Sequence, residues 1–152
     1  MKERRLILEQ LDNKIIRYKA LDDIVMPAYG WVYSIRKALN MSLRQLGRKM
    51  SITPQSVKKL EEREKNGSVS LNVLRQVGLA LDMKFVYGFI PRHYTLQKMI
   101  EKRAEELAME IVHRTSVSMN LEDQKPNDAR LKKAISEKAE EFNRNIPKYL
   151  WD

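Results

Sequence analysis

The stretch MSLRQLGRKMSITPQSVKKLEERE, residues 41–64, contains the starts of two short helices on either side of one tight turn. Ser42 is followed three positions later by Gln45, which is the spacing of a capping box at a helix N-terminus. Thr53 is a second capping residue, and the proline after it is tolerated at the first helical position, where no N–H is required. The pattern predicts a first helix of about two turns and a second helix over residues 53–65.

Apolar and small side chains recur on one face of both helices and predict the contact that sets the angle between them. Gly47 is expected to let the second helix cross close to the first, because glycine has no side chain at the crossing point. The predicted buried positions are Leu43 or Leu46, Gly47, Ile52, Val57 and Leu60.

The basic residues of the chain are concentrated around this stretch. The chain has 152 residues and a formal net charge of +9, and it is long enough for one globular domain with its own core. Residues 31–66 hold nine basic and three acidic side chains, a net charge of +6. Such a block attracts polyanions, and a phosphate backbone is a common one. Charge alone fits a solvated basic face equally well, so the helix pattern has to decide between the two.

Two short capped helices joined by a tight turn match the helix-turn-helix pattern, in which the second helix enters the major groove of DNA. Outward residues near its start are predicted to contact bases, since Gln can pair with adenine and Lys can donate to guanine. The predicted base contacts are Gln55, Ser56 and Lys59. The predicted phosphate contacts are Ser42, Arg44, Arg48, Lys49, Thr53 and Lys58.

Helical periodicity extends over most of the remaining chain. The predicted helices cover residues 2–21, 31–40, 71–81, 95–115 and 129–143, with Ser70 as the cap of the third and a polar linker over residues 116–130. Tyr149, Leu150 and Trp151 end the chain and are expected to pack into a core rather than to anchor a partner.

The segment MKFVYGFIP, residues 83–91, is rich in β-branched and aromatic residues and predicts a short β-strand. The helical remainder supplies no second strand, so the expected partner is the same strand of a second subunit. A buried extended loop is the alternative.

The motifs of the basic block resemble those of the phage-repressor-like XRE group over residues 31–83. The resemblance rests on Gln45-Leu46-Gly47, on QSV at positions 55–57, on Leu60-Glu61 and on the downstream LALD. It implies an ion pair between Arg36 and Glu61. The chain departs from the group in having Gly47 where alanine is usual and in the longer segment EREKNGSVS.

A resemblance over nearly the whole length is to the mobile mystery protein A family, through the N-terminal arm, the basic block, FVYGFIPR and the final LWD. It implies an antitoxin-like or regulatory protein of bacterial mobile elements, beside a partner with a Fic-type domain. The expected fold is mostly α, with a phage-repressor-like helix-turn-helix core, an N-terminal helix, one short β-strand and C-terminal helices. The expected domains are an N-terminal arm over residues 1–26, a DNA-binding domain with a terminal strand over 27–91, and a region for oligomerisation or partner binding over 92–152.

Several other classes of site are not expected. The chain has no cysteine and only two histidines, His93 and His113, without acidic residues at metal-ligand spacing around them. With five glycines it has no glycine-rich phosphate loop, so we predict neither an enzyme nor a metal or cofactor site. The N-terminus has no apolar run long enough for a signal or a membrane span, which favours a cytoplasmic, nucleoid-associated protein.

The leading hypothesis is a homodimeric, sequence-specific DNA-binding regulator that reads a palindromic operator near its own gene and acts as an antitoxin-like partner of a Fic-domain toxin. Three alternatives remain open at this point. They are a stand-alone repressor with no toxin, a protein whose main role is to bind and inhibit a Fic-type partner, and a non-specific nucleic-acid binder.

Overall fold

A computed structural model describes residues 2–92, 95–121 and 127–152, and all regular secondary structure in these ranges is helical. The prediction of a mostly α fold is therefore confirmed. Within the described ranges, no helix is both long enough and apolar enough to cross a membrane. The described chain forms two compact units, which are treated separately: residues 23–88, called the central unit, and residues 1–22 with 89–152, called the terminal unit.

The central unit is built from four short helices. They are α2 Trp31–Ala38, α3 Leu43–Met50, α4 Pro54–Asn66 and α5 Leu71–Ala80. Each helix contributes apolar side chains to one core, whose buried members are Val32, Leu46, Val57, Leu60 and Val77. Of the positions predicted to be buried, Leu46, Gly47, Val57 and Leu60 are buried, and Leu43 and Ile52 pack against the core while partly exposed.

Three hydroxyl caps set where these helices begin. The side chains of Ser42, Thr53 and Ser70 each accept a hydrogen bond from the amide three residues later, which satisfies a backbone donor that has no partner inside the helix. Gln45 completes the predicted capping box by accepting from the amide of Ser42. At the far end of α4, Gly67 takes a left-handed conformation with φ of 75° and closes the helix. The helix starts predicted at these three caps are confirmed.

The terminal unit consists of three helices and two 3-10 turns. Its elements are α1 Lys2–Ile15, the turn Ile16–Leu21, α6 Leu96–Leu121, α7 Asp128–Arg144 and the turn Lys148–Trp151. α6 and α7 pack along each other around Ala104 and Ala108, whose small side chains allow close approach, and around Phe142. The last turn covers this core with Leu150, which is fully buried.

The N-terminal helix is bound to the start of α6. Both carboxylate oxygens of Asp12 accept backbone bonds, from Leu96 at 2.7 Å and Gln97 at 3.2 Å, where the helix dipole favours negative charge. Arg4 donates to the carbonyl of Ile146 at 3.2 Å. Residues 2–22 thus pack with the C-terminal helices in the terminal unit. The division into three functional regions stays a prediction.

The predicted β-strand is not formed among the described residues. Residues 83–88 belong to the central unit but have no strand beside them in the described chain, and a β-ladder requires a second strand to accept and donate its hydrogen bonds.

The predicted linker begins later than expected, because α6 continues to Leu121. Two hydroxyls that would favour a loop are satisfied inside the helix: Thr115 donates to the carbonyl of Ile111 and Ser118 to that of Arg114. Residues 122–126 of the predicted linker lie outside the described residues, and Asn127 caps α7.

Replacing Leu150 by Ala should lower the free energy of unfolding by about 2–5 kcal/mol, because a fully buried side chain is removed and a cavity is left. Chemical denaturation followed by circular dichroism measures the change. Trp151→Ala is the matched control at the neighbouring position: its side chain is 55% exposed, and the expected loss is below about 1 kcal/mol. Equal effects of the two substitutions would show that the last turn does not cover the core.

Candidate nucleic-acid interface

The crossing of α3 and α4 depends on one close backbone contact. The amide of Ile52 donates to the carbonyl of Gly47 at 2.9 Å, and Ser51 turns the chain with a left-handed φ of 57°. A Cβ on Gly47 would lie 2.6 Å from the carbonyl oxygen of Ile52, closer than carbon and oxygen atoms can approach. Glycine at position 47 therefore brings the connection between the two helices directly against α3.

α4 has one buried stripe, formed by Val57, Leu60, Glu61 and Glu64. Because successive helical residues are rotated by about 100°, Gln55 and Lys59 lie opposite this stripe. Ser56 and Lys58 lie on its two flanks by the same geometry. All four side chains are exposed. The outward face of α4 thus presents an amide, a hydroxyl and two ammonium groups to solvent.

The hydroxyl of Ser56 is oriented by the cap of the same helix. Thr53 Oγ1 accepts from the amide of Ser56 at 3.1 Å and donates to Ser56 Oγ at 2.9 Å. Since Ser56 Oγ accepts this bond, its own hydrogen is left to donate outward. The two hydroxyls at the start of α4 are therefore a preorganised pair.

The predicted contacts on α3 share its solvent side. Ser42, Arg44, Arg48 and Lys49 are exposed, while Leu46 and Gly47 between them are buried. With Thr53 and the four residues of α4, all nine predicted contact residues are exposed on the two helices that meet at residues 51–53.

Arg36 and Glu61 form a buried ion pair between α2 and α4. Arg36 Nε and Nη2 donate to the two carboxylate oxygens at 2.5 and 3.1 Å, and Nη1 donates to the carbonyl of Met41 at 2.8 Å. The guanidinium also lies 5.4 Å from the ring centre of Tyr33. Hydrogen bonding to Glu61 raises the pKa of Arg36 above its usual value, so the guanidinium stays charged.

Glu64 is a second buried carboxylate on α4, and its role was not anticipated from the sequence. It accepts from the amides of Trp31 at 3.1 Å and Val32 at 2.8 Å and so caps the N-terminus of α2. Gly30 precedes α2 with φ of 86°, and a Cβ there would lie 2.7 Å from Glu64 Oε1. The signal in the sequence was a glutamate on the apolar stripe of a helix, which needs a partner inside the protein.

Burial of these two carboxylates changes the surface charge of the basic block. Of its three acidic side chains, Glu61 and Glu64 are buried and only Glu62 is exposed. Eight basic side chains remain exposed: Lys37, Arg44, Arg48, Lys49, Lys58, Lys59, Arg63 and Lys65. The folded surface is therefore more strongly positive than the sequence count of the block indicates.

Glu62 is the exception on this surface. By the helical geometry it lies on the outward side of α4, one turn after Lys58 and Lys59. A carboxylate can accept a hydrogen bond from the amino group of cytosine but repels phosphate. At Glu62, the end of α4 is therefore better suited to contact a base than a phosphate.

Comparison with protein-family models, with curated proteins and with solved structures gave no match for this chain. The two family resemblances therefore stay predictions. Among the described residues, no group of three or more His, Asp or Glu side chains is arranged to hold a metal ion; His113 is exposed on α6, and His93 lies outside the described residues.

Replacing Arg36 by Met should lower the free energy of unfolding by about 3–5 kcal/mol, because the buried carboxylate of Glu61 would lose its counter-ion. The double substitution Arg36→Met, Glu61→Leu should recover most of this loss, since no unpaired charge then remains. Urea denaturation of the three proteins measures the difference. Lys37→Met makes the same chemical change at an exposed neighbour, and a loss there as large as for Arg36→Met would contradict this interpretation of the ion pair.

Proposed function

We propose that this protein is a sequence-specific DNA-binding transcriptional regulator whose α3 and α4 form a helix-turn-helix. The observation that carries the proposal is the separation of charge and apolar surface on these helices. Their apolar stripes and two carboxylates are buried, while all nine candidate contact residues are exposed together with further basic side chains. Such a surface suits a phosphate backbone on both sides of a reading helix.

In the proposed complex the start of α4 enters the major groove. Gln55 and Lys59 lie opposite the buried stripe and would meet base edges, with the Ser56 hydroxyl as a donor beside them. Arg44, Arg48, Lys49 and Lys58 would contact phosphates on either side, and the helix starts at Ser42 and Thr53 add backbone amides. In this arrangement the phosphate contacts on either side provide affinity, and the base contacts at the start of α4 provide sequence discrimination.

We further propose that two copies read the two halves of a palindromic operator. A module of this size contacts only a short half-site, and joining two modules raises affinity through effective concentration. The resemblance to mobile mystery protein A supports an autoregulatory, antitoxin-like role for such a dimer in the cytoplasm.

Substitution of Gln55 or Lys59 by Ala should reduce discrimination between the operator and a scrambled duplex by about 1–3 kcal/mol, because each can make specific contacts to a base. Arg48→Ala should instead weaken binding to both duplexes equally and reduce the slope of log affinity against log salt by about one. Gel shifts with a fragment from the upstream region of the gene, located by footprinting, measure both effects.

The control for that experiment is Lys102→Ala, which removes one exposed basic residue of α6 and should change neither quantity. If Gln55→Ala and Lys59→Ala bind every duplex as wild type does, the assignment of α4 as the reading helix is wrong. If all basic substitutions have the same small effect on any duplex, the protein binds nucleic acid without sequence preference.

A second candidate function, binding of a Fic-domain partner, is favoured by the composition of α1. This helix has no buried residue, although Leu8 packs against the core of the terminal unit. Leu6, Ile7 and Leu11 are between 44% and 56% exposed, an unusual number of large apolar side chains on one helix in water.

Co-expression with a Fic-domain protein encoded beside the gene tests this second function. Ile7→Lys should abolish co-purification, because a charge would be placed in an apolar contact, while leaving the affinity for DNA unchanged. Lys14→Ala, on the same helix, is the control and should retain the partner. Co-purification of the Ile7→Lys protein would exclude α1 as the binding surface.

A further inference from the structure

Residues 83–88 end the central unit, and their backbone is hydrogen-bonded to α5 at the first residue. The amide of Met83 donates to the carbonyl of Gly78 at 2.7 Å, and a Cβ on Gly78 would lie 2.8 Å from the Met83 carbonyl oxygen. This close contact holds the start of the segment against α5. Beyond it, the backbone groups of residues 84–88 make no hydrogen bond to any other backbone group that the structure describes.

The segment already has the side-chain alternation of a strand. The rings of Phe85 and Tyr87 stack with centres 5.9 Å apart and planes 19° from parallel, as expected when residues two apart share one face of an extended chain. Arg75 of α5 lies 5.7 Å from the ring centre of Tyr87 and so holds this face. Val86, which lies between Phe85 and Tyr87 in the sequence, is 53% exposed. One face is therefore held by α5, while the backbone groups of residues 84–88 have no backbone partner among the described residues.

The same part of the central unit exposes a large apolar area. Leu79 is 82% exposed, and Met83, Val86 and Tyr87 are each about half exposed. At about 200 Å² for a large side chain, this is roughly 500 Å² per chain. If all of this area became buried, two copies would bury roughly 1,000 Å², the area at which specific protein interfaces begin. Exposed backbone and exposed apolar surface therefore occur together at residues 79–87.

We propose that residues 84–88 pair antiparallel with the same residues of a second copy of this chain, with Val86 opposite Val86 of the partner subunit. Antiparallel pairing of identical segments gives alternate backbone groups of both chains a partner at once, and the described part of the chain offers no other strand. The pairing would connect two central units, as the proposed reading of a palindrome requires. The contact itself does not depend on DNA binding.

The chemistry of the segment favours this register over one centred on Lys84. With Val86 at the two-fold axis, Phe85 faces Tyr87 of the partner subunit, which makes two aromatic cross-strand pairs and one β-branched pair. Lys84 then faces Gly88 of the partner subunit. A register centred on Lys84 would instead place two like charges directly opposite each other, which is destabilising.

A single introduced cysteine tests the register, because the chain has none of its own. Opposite residues of an antiparallel pair have Cα atoms about 4.5–5.5 Å apart, within the range that a disulfide bridges. Val86→Cys should therefore form a covalent dimer on mild oxidation. Val25→Cys, at a valine that is 87% exposed in the same unit, should remain monomeric on a non-reducing gel.

Sedimentation equilibrium tests the strength of the contact. Val86→Lys should raise the dimer dissociation constant at least about tenfold, since two desolvated charges would meet at the axis. Val25→Lys should leave it unchanged, and circular dichroism should show the same helix content for both. Three results would overturn the pairing. The wild-type protein could stay monomeric, the two cysteine variants could cross-link equally, or Val86→Lys could dimerise as strongly as wild type.

DNA binding is tested separately from dimerisation. A Val86→Lys monomer that still shifts a half-site supports both proposals, since only the dimer contact is lost. If wild type dimerises and Val86→Cys cross-links but no duplex is bound, the pairing holds and the proposed function is wrong.

Discussion

The central unit depends on two buried carboxylates that α4 directs at α2. Glu61 binds the guanidinium of Arg36, and Glu64 caps the first two amides of α2. A buried carboxylate is unfavourable unless every oxygen has a partner, so each of the two specifies where α2 must lie. The close approach at Gly30 belongs to the same arrangement, because the cap leaves no room for a side chain. The orientation of α4 relative to α2 is therefore set by polar contacts as well as by apolar packing.

This internal use of acidic groups also determines the charge of the exposed face. Glu61 and Glu64 are turned inward together with Arg36, and the other eight basic side chains of residues 31–66 remain in solvent. Burial of the two carboxylates thus contributes both to the stability of this unit and to its positive surface. A face made in this way attracts phosphate without any added domain.

The two units differ in how the backbone groups outside their helices are hydrogen-bonded. In the terminal unit, Asp12 reaches across 84 residues of sequence to cap α6, and Arg103 donates to the carbonyls of Leu150 and Asp152. In the central unit, residues 84–88 have no comparable partner among the described residues. The proposed pairing with a second copy would give alternate backbone groups of this segment a partner.

Local signals determined the helices, their caps and the outward residues of α3 and α4, because hydroxyl caps, proline at the first helical position and apolar periodicity act within a few residues. The sequence alone therefore predicted the mostly α fold and the exposed candidate contacts. Tertiary structure alone decided the roles of Glu64 and Asp12 and the grouping of α1 with the C-terminal helices. It also left residues 84–88 without a backbone partner among the described residues. Each of these depends on groups distant in sequence, and a glutamate or an aspartate carries no local sign of which distant amide it will bind.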